Sequence, residues 1–322
     1  MTSNSLERYE YTAPTMGTVL RIILYSESPA AAEQAIHASL DEIERLIPIL
    51  NNYDPKSEVS GLTDSCNNPI RVSSDLQSVL EHAIRWHGLT DGALDISLGS
   101  IFRVWSQCRK ERRLPTSDEW TRSIFTSGWH VWSLDRPSDS SLPATVETVS
   151  EGVIIDTSGL ATGYIIDRAF EAMQRTGHEC VLIDIGGDIR MGTPPPESEG
   201  WVVAVAGVQA NKRPVCNLRL QSCAITTSGD LNQFVEIDGT RYSHLIDPKT
   251  KRPLQRSQTA TAIAATCVDA DAGATSLCVL GVERASQLFH NLPLTEAFVF
   301  ESSSESRTAT HSIPRFRHLF NE

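Results

Sequence analysis

Residues 17–25, GTVLRIILY, are apolar and β-branched almost throughout, a pattern that predicts a buried strand. Beyond it, Ala35, Ile36, Leu40, Ile43, Ile47 and Leu50 recur at three- and four-residue steps. That spacing is the apolar stripe of a helix stopping before Asn51-Asn52-Tyr53-Asp54-Pro55. Leu76, Val79, Leu80, Ala83 and Ile84 mark a second helix, expected to start near Ser74 with a capping box to Gln77. Ile165, Ile166, Ala169, Phe170 and Met173 predict a third over residues 163–175, capped by Gly177. A short strand, residues 180–185, then runs into Gly186-Gly187-Asp188.

After Trp201 the pattern turns to successive β-type runs: WVVAVAG, VCNLRLQ, CAITTS, QFVEIDGTRYSHLI and TATAIAATCV. Asp238-Gly239 inside the fourth is a hairpin signal. A helix from about Asp269, another over about 283–292 and a last strand over 297–301 complete the reading. The polar, basic stretch 107–123 and the Ser/Thr/Pro-rich stretch 138–150 read as surface excursions. Without a repeat or a regular βαβ period, the fold class expected is α+β, a large mixed or antiparallel sheet flanked by helices. Residues 1–322 are expected to form one unit: an α/β part over about 14–200, a β-rich part over about 201–302, and a tail over 303–322.

The chain is long enough, at 322 residues, for a substantial core, and its 40% apolar content supports folding by burial. Forty acidic against 28 basic residues leave a formal charge of −12. That balance repels polyphosphate backbones, so nucleic acid is excluded as the expected partner. Seven cysteines without C-x-x-C or zinc-type spacing read as reduced thiols in or near the core. The N-terminus MTSNSLERYEYTAPTMGT lacks a charged segment followed by an apolar one, and apolar runs are strand-sized. A soluble cytoplasmic protein with no membrane span is expected.

The common nucleotide-loop, zinc-protease and hydrolase motifs are missing. What remains is a set of small-residue loops, each holding an Asp, Thr or Ser after an apolar run. Such loops can wrap an extended phosphate-bearing ligand with backbone N–H groups and hydroxyls. Asp271 and Thr275, four apart, share one helix face at about 6 Å between Cβ atoms, spacing that suits a hard divalent cation but also an ordinary helix cap. His244, just before the Asp247-Pro248 turn, is the histidine best placed for chemistry.

The segments occur as MGT from Met16, NNYDPKSEVSGL from Asn51, DGALD from Asp91, DTSGLATGY from Asp156, GGDI from Gly186, TSGD from Thr227, HLIDP from His244 and ADAGAT from Ala270. In order and spacing they resemble the ApbE family of FAD:protein FMN transferases over roughly residues 14–300. The resemblance implies an ApbE-like fold and a Mg²⁺-dependent reaction in which a Thr or Ser hydroxyl of an acceptor protein attacks the FMN-side phosphorus of FAD. AMP leaves and FMN stays attached through a phosphoester. Carried over by position, Mg²⁺ would be held by Asp271, Thr275 and the Gly159 carbonyl. FAD would be held by Met16, Tyr53, Ala93, Leu94, Asp95, Asp156, Thr162, His244 and Leu245. His244, with Asp271, would be the catalytic pair.

Three positions depart from the family pattern: Ser158 stands for a glycine, Thr162 for a lysine and Lys251 for a glycine. Lys251 could return the charge that Thr162 lacks. Two readings therefore stay open: an active transferase, favoured by Asp271, Thr275 and His244, and a divergent FAD-binding protein or slow FAD pyrophosphatase that modifies no protein. A different small-molecule ligand is a third. An active enzyme without a signal peptide would be expected to modify a cytosolic acceptor or the cytosolic face of a membrane complex.

Overall fold

The structure, a computed structural model, describes residues 6–139, 142–206, 214–230, 233–302 and 308–312. Its first half contains β1 Glu7–Thr15, β2 Thr18–Ser26, α1 Pro29–Leu50, α2 Glu58–Gly61, β3 Ile70–Arg71, α3 Ser74–Leu89, α4 Gly99–Lys110, α5 Ser117–Phe125, β4 Trp132–Asp135, β5 Thr145–Thr148 and α6 Ser158–Arg175. Then follow β6 Val181–Ile185, β7 Asp188–Met191, β8 Trp201–Ala206, β9 Pro214–Leu220, β10 Cys223–Gly229, β11 Phe234–Ile237, β12 Thr240–Ser243, β13 Ile246–Asp247, β14 Arg252–Pro253, β15 Ser257–Ala264, α7 Cys267–Leu288, β16 Leu294–Ser302 and β17 Thr308–Ser312. The central sheet has eight strands in the order β1-β2-β6-β7-β10-β15-β16-β17. Every neighbouring pair is antiparallel. The α+β expectation is met.

The inner strands of the sheet, β6 and β15 among them, are buried on both faces, which explains their continuous apolar runs, whereas the edge strand β1 has no buried residue. Leu20, Ile22, Leu24, Val181, Ile183, Ala260, Ala262 and Val299 point to the core beneath the helices. Ile23, Leu182, Ile263, Phe298 and Phe300 point the other way, onto Trp201, Val203, Val205 and Leu218 of the β8–β9 hairpin. A third core joins α4 and α5 to the β11–β12 hairpin through Trp105, Trp120, Val235 and Ile246. The hairpin signal is realised: Asp238 and Gly239 take φ of 50° and 75°, the left-handed pair of a tight two-residue turn. All seven cysteines are free, four of them buried.

Several expectations are corrected. The N-cap of α3 is Ser73, whose Oγ accepts from Leu76 N at 3.3 Å, and Gln77 instead bonds Glu81 at 3.0 Å. No loop fills residues 107–123: α4 runs to Lys110, and α5 is held by a Thr116–Glu119 capping box and a buried Trp120. Its charges occupy the solvent face, so net polarity hid a helix with a narrow apolar stripe. Residues 145–148 form β5, and the helix after Cys267 is one segment broken at Gly281. The strand β1 was not anticipated; it pairs with β2 over nine residues, and β17 adds an edge strand within the expected tail. The helix α6 begins at Ser158 rather than 163, which brings Thr162 into helix and leaves Gly159 at a kink in its first turn, with φ of −83° and ψ of 15°.

Candidate functional site

The helices α6 and α7 cross closely because small residues meet at the contact. A Cβ on Gly163 would lie 2.5 Å from the Cys267 carbonyl oxygen, and one on Gly159 would lie 3.3 Å from Thr275 Cγ2. The same approach lets Gly163 N donate to Asp271 Oδ2 at 3.2 Å. Gly163→Ala gains about 1 kcal/mol of helix propensity but must relieve a clash costing about 3 kcal/mol. The expected result is a lower Tm, checked by calorimetry, together with displacement of Asp271.

Beside this crossing lies a cavity of about 880 Å³, and most of the dispersed loops line it. Tyr53, Ala93, Leu94, Asp95, Asp156, Gly159, His244, Leu245, Asp271 and Thr275 are all among its lining residues. Met16 and Thr162 are not. Met16 sits at the β1–β2 turn with φ of 45°, where Thr18 packs against the cavity residue Gly186. Thr162 is one helical turn beyond Ser158 on α6.

Local bonds hold each loop in place. His87 Nδ1 pairs with Leu94 O at 2.9 Å while its ring stacks 3.6 Å from Trp129, fixing the 93–95 loop. Asp95 caps the following turn by accepting from Ser97 N at 2.9 Å. Asp156 accepts from Ser158 N at 3.0 Å, which starts α6. Trp105 Nε1 donates to Ser243 O at 2.8 Å and sets the loop bearing His244. Tyr53 is 91% exposed at the cavity, a free aromatic face for stacking on a planar ring.

Sequence reasoning missed several lining residues. Asn52 pins the Tyr53 loop to α6, donating to Ile155 O at 2.7 Å and accepting from Thr157 N at 3.1 Å. Its place inside a polar turn gave no signal of that reach. Asp188, first residue of β7, enters the same cavity wall as Asp271, as do Thr226 and Arg109. The GGDI motif contained Asp188, but only the fold shows that it meets Asp271.

Burial pushes the Asp271 carboxyl well above the usual range, and Asp188 pushes it further. Asp188 is raised in turn by burial, with Thr226 bonding it and lowering the effect. Among the described residues neither carboxylate has an ion-pair partner. Two carboxyls that resist ionising without a counterion, beside a hydroxyl at Thr275 and a helix irregularity at Gly159, are the oxygen set that a hard divalent cation takes. The residues fit Mg²⁺. Among the described residues no three His, Cys, Asp or Glu converge, so the ligands would have to include hydroxyl or carbonyl oxygens.

His244 behaves differently. Burial, then the nearby Arg109 charge, pushes its imidazole down to about 4. Its Nδ1 is buried without a hydrogen-bond partner among the described residues. His244 lines the cavity, and a neutral imidazole there is fitted to accept a proton. Lys251 does not supply the charge missing at Thr162: its Nζ donates to Ser127 O at 2.6 Å and Ile124 O at 3.2 Å, closing the end of α5. Lys251→Ala is expected to lower stability by about 1–2 kcal/mol through those lost carbonyl bonds. Ligand titration should show unchanged affinity in the cavity.

Comparison with known proteins places this arrangement. A curated FAD:protein FMN transferase from Vibrio cholerae is 32% identical over 288 residues, 86% of this chain and 83% of the relative. One from Haemophilus influenzae is 29% identical, covering 92% and 90%. The solved flavin transferase ApbE from Vibrio cholerae superimposes with a TM-score of 0.82 at 26% identity, over 97% of this chain and 98% of that one. The ApbE protein of Thermotoga maritima gives 0.84 at 25% identity, over 98% and 100%. The ApbE family model matches residues 16–299, and with that span and the 32% identical relative the chain belongs to the ApbE family.

Proposed function

We propose that the chain is an FAD:protein FMN transferase that attaches FMN to a Thr or Ser of an acceptor protein. The observation that carries the reading is the meeting, in one 880 Å³ cavity, of a neutral His244 with the uncompensated Asp188–Asp271 pair. The volume is of the order that a dinucleotide-sized ligand needs.

Asp271, Thr275 and the Gly159 carbonyl would hold Mg²⁺, with Asp188 close by. Bound there, the ion would neutralise charge on the diphosphate of FAD, the main demand of phosphoryl transfer. Tyr53 offers its exposed ring to a planar group, while Ala93, Leu94, Asp95, Asp156 and Leu245 shape the wall. The His244 imidazole takes the proton of the acceptor hydroxyl as that oxygen attacks the FMN-side phosphorus. The new O–P bond forms as the bridging P–O bond breaks, and AMP leaves with the electron pair. Among the described residues no helix is long and apolar enough to cross a membrane.

Incubation with FAD, Mg²⁺ and candidate acceptors, followed by in-gel flavin fluorescence, tests the reading. A fluorescent acceptor band with stoichiometric AMP supports it. FMN and AMP released without any labelled protein would assign hydrolysis instead. No Mg²⁺-dependent turnover of FAD would refute both.

A further inference from the structure

We propose that Arg109, on the cavity side of α4, binds the phosphate groups of the dinucleotide, an inference that rests on reading the cavity as the FAD site. Arg109 lines the cavity and is half-buried. The one hydrogen bond its guanidinium makes among the described residues is a long one, Nη1 to Gln233 O at 3.4 Å. The equally sheltered Arg190 and Arg241 pair with Asp167 at 3.0 Å and with Asp230, and Arg256, which has no carboxylate, spends its donors on two short bonds, to Gln258 Oε1 at 2.6 Å and Val279 O at 2.7 Å. In a protein with 40 acidic residues against 28 basic, a half-buried guanidinium left without a carboxylate leaves its donors for an anion that enters the cavity. Partial burial of a cation without compensation is unfavourable, and it holds the guanidinium below its ordinary range.

The position of Arg109 selects the phosphates. Gln233 O accepts both from Arg109 Nη1 and, at 2.8 Å, from the backbone N–H of His244. The guanidinium and the proton acceptor are therefore neighbours, and a phosphorus attacked beside His244 lies within reach of the same fork. A planar guanidinium with paired donors matches phosphate oxygens better than an ammonium does. Arg103 and Lys110 also line the cavity from α4, but both are exposed, where water and salt screen them. Lys251 is committed to carbonyls of the α5 end.

Arg109→Gln and Arg109→Lys test the assignment. In the presence of Mg²⁺, binding of FAD, ADP and riboflavin is measured by calorimetry and flavin fluorescence, alongside FMN transfer. Arg109→Gln is expected to weaken FAD and ADP by about 10- to 100-fold while riboflavin changes by less than about two-fold. Arg109→Lys should recover part of the loss. The groups facing His244 are Arg109, Asp230 and the Gln233 carbonyl. With the Arg109 charge gone, protonated His244 is less penalised, so the acid limb of kcat/KM should move upward from near pH 4. ADP bound equally well by Arg109→Gln, or ADP and riboflavin weakened alike, would overturn the assignment. A wild-type protein that binds neither FAD nor ADP would instead refute the cavity reading itself.

Discussion

Asp271→Asn is expected to reduce Mg²⁺-dependent FMN transfer by about 100-fold or more, because it removes an anionic ligand from a site that neutralises the reacting phosphates. The same substitution should raise the Tm of the metal-free protein. Burial and then Asp188 penalise ionisation of Asp271, while burial and Asp184 penalise that of Asp188. A carboxyl whose folded pKa lies above its unfolded value adds stability at low pH, and that stability is lost as pH rises through the folded pKa. Metal-free wild type should therefore weaken from about pH 4 upward, and Mg²⁺ should restore it by binding only the folded pair. Asparagine removes the repulsion and can still accept from Gly163 N, whose bond to Asp271 is 3.2 Å. Calorimetry of both proteins from pH 4 to 8, with and without Mg²⁺, checks the two signs together. A wild-type Tm indifferent to Mg²⁺, or transfer by Asp271→Asn with unchanged metal dependence, would place the metal elsewhere.

His244→Ala should lower the rate of transfer by about 10²- to 10⁴-fold, the usual contribution of a general base, while FAD still binds. The pH dependence separates this role from a structural one. Burial and Arg109 hold the imidazole near 4, so kcat/KM of the wild type should stay level through pH 6.5 and fall only as pH approaches 4. Stability carries the matching sign: a histidine kept neutral by the fold contributes stability above its unfolded pKa of about 6.5, and that is lost as pH falls toward 4. His244→Ala should lose less stability over that interval. An acid limb near 6.5 in the wild type, or none at all, would remove His244 as the base.

The sequence by itself determined the elements whose burial is one-sided or complete. The apolar stripe of α1, the β-type runs after Trp201 and the Asp238-Gly239 turn each follow from local side-chain chemistry, and each appears where the pattern put it. It also supplied ten lining residues of the cavity, because motif order and spacing in the ApbE family carry chemistry that composition does not. The tertiary structure alone decided the rest. The strand β1 forms because β2 offers it an edge, and α5 because its narrow stripe finds Trp105 and the β11–β12 hairpin. Lys251 could reach phosphate or carbonyl with equal ease on paper, and only the approach of α5 committed it to Ser127 O and Ile124 O. Asp188 and Asp271, 83 residues apart in the chain, become one site through sheet order and the close α6–α7 crossing. Arg109 and His244, 135 residues apart, are brought together at the carbonyl of Gln233. Electrostatic coupling depends on distance in space, and sequence periodicity reports only which way each side chain faces within its own element.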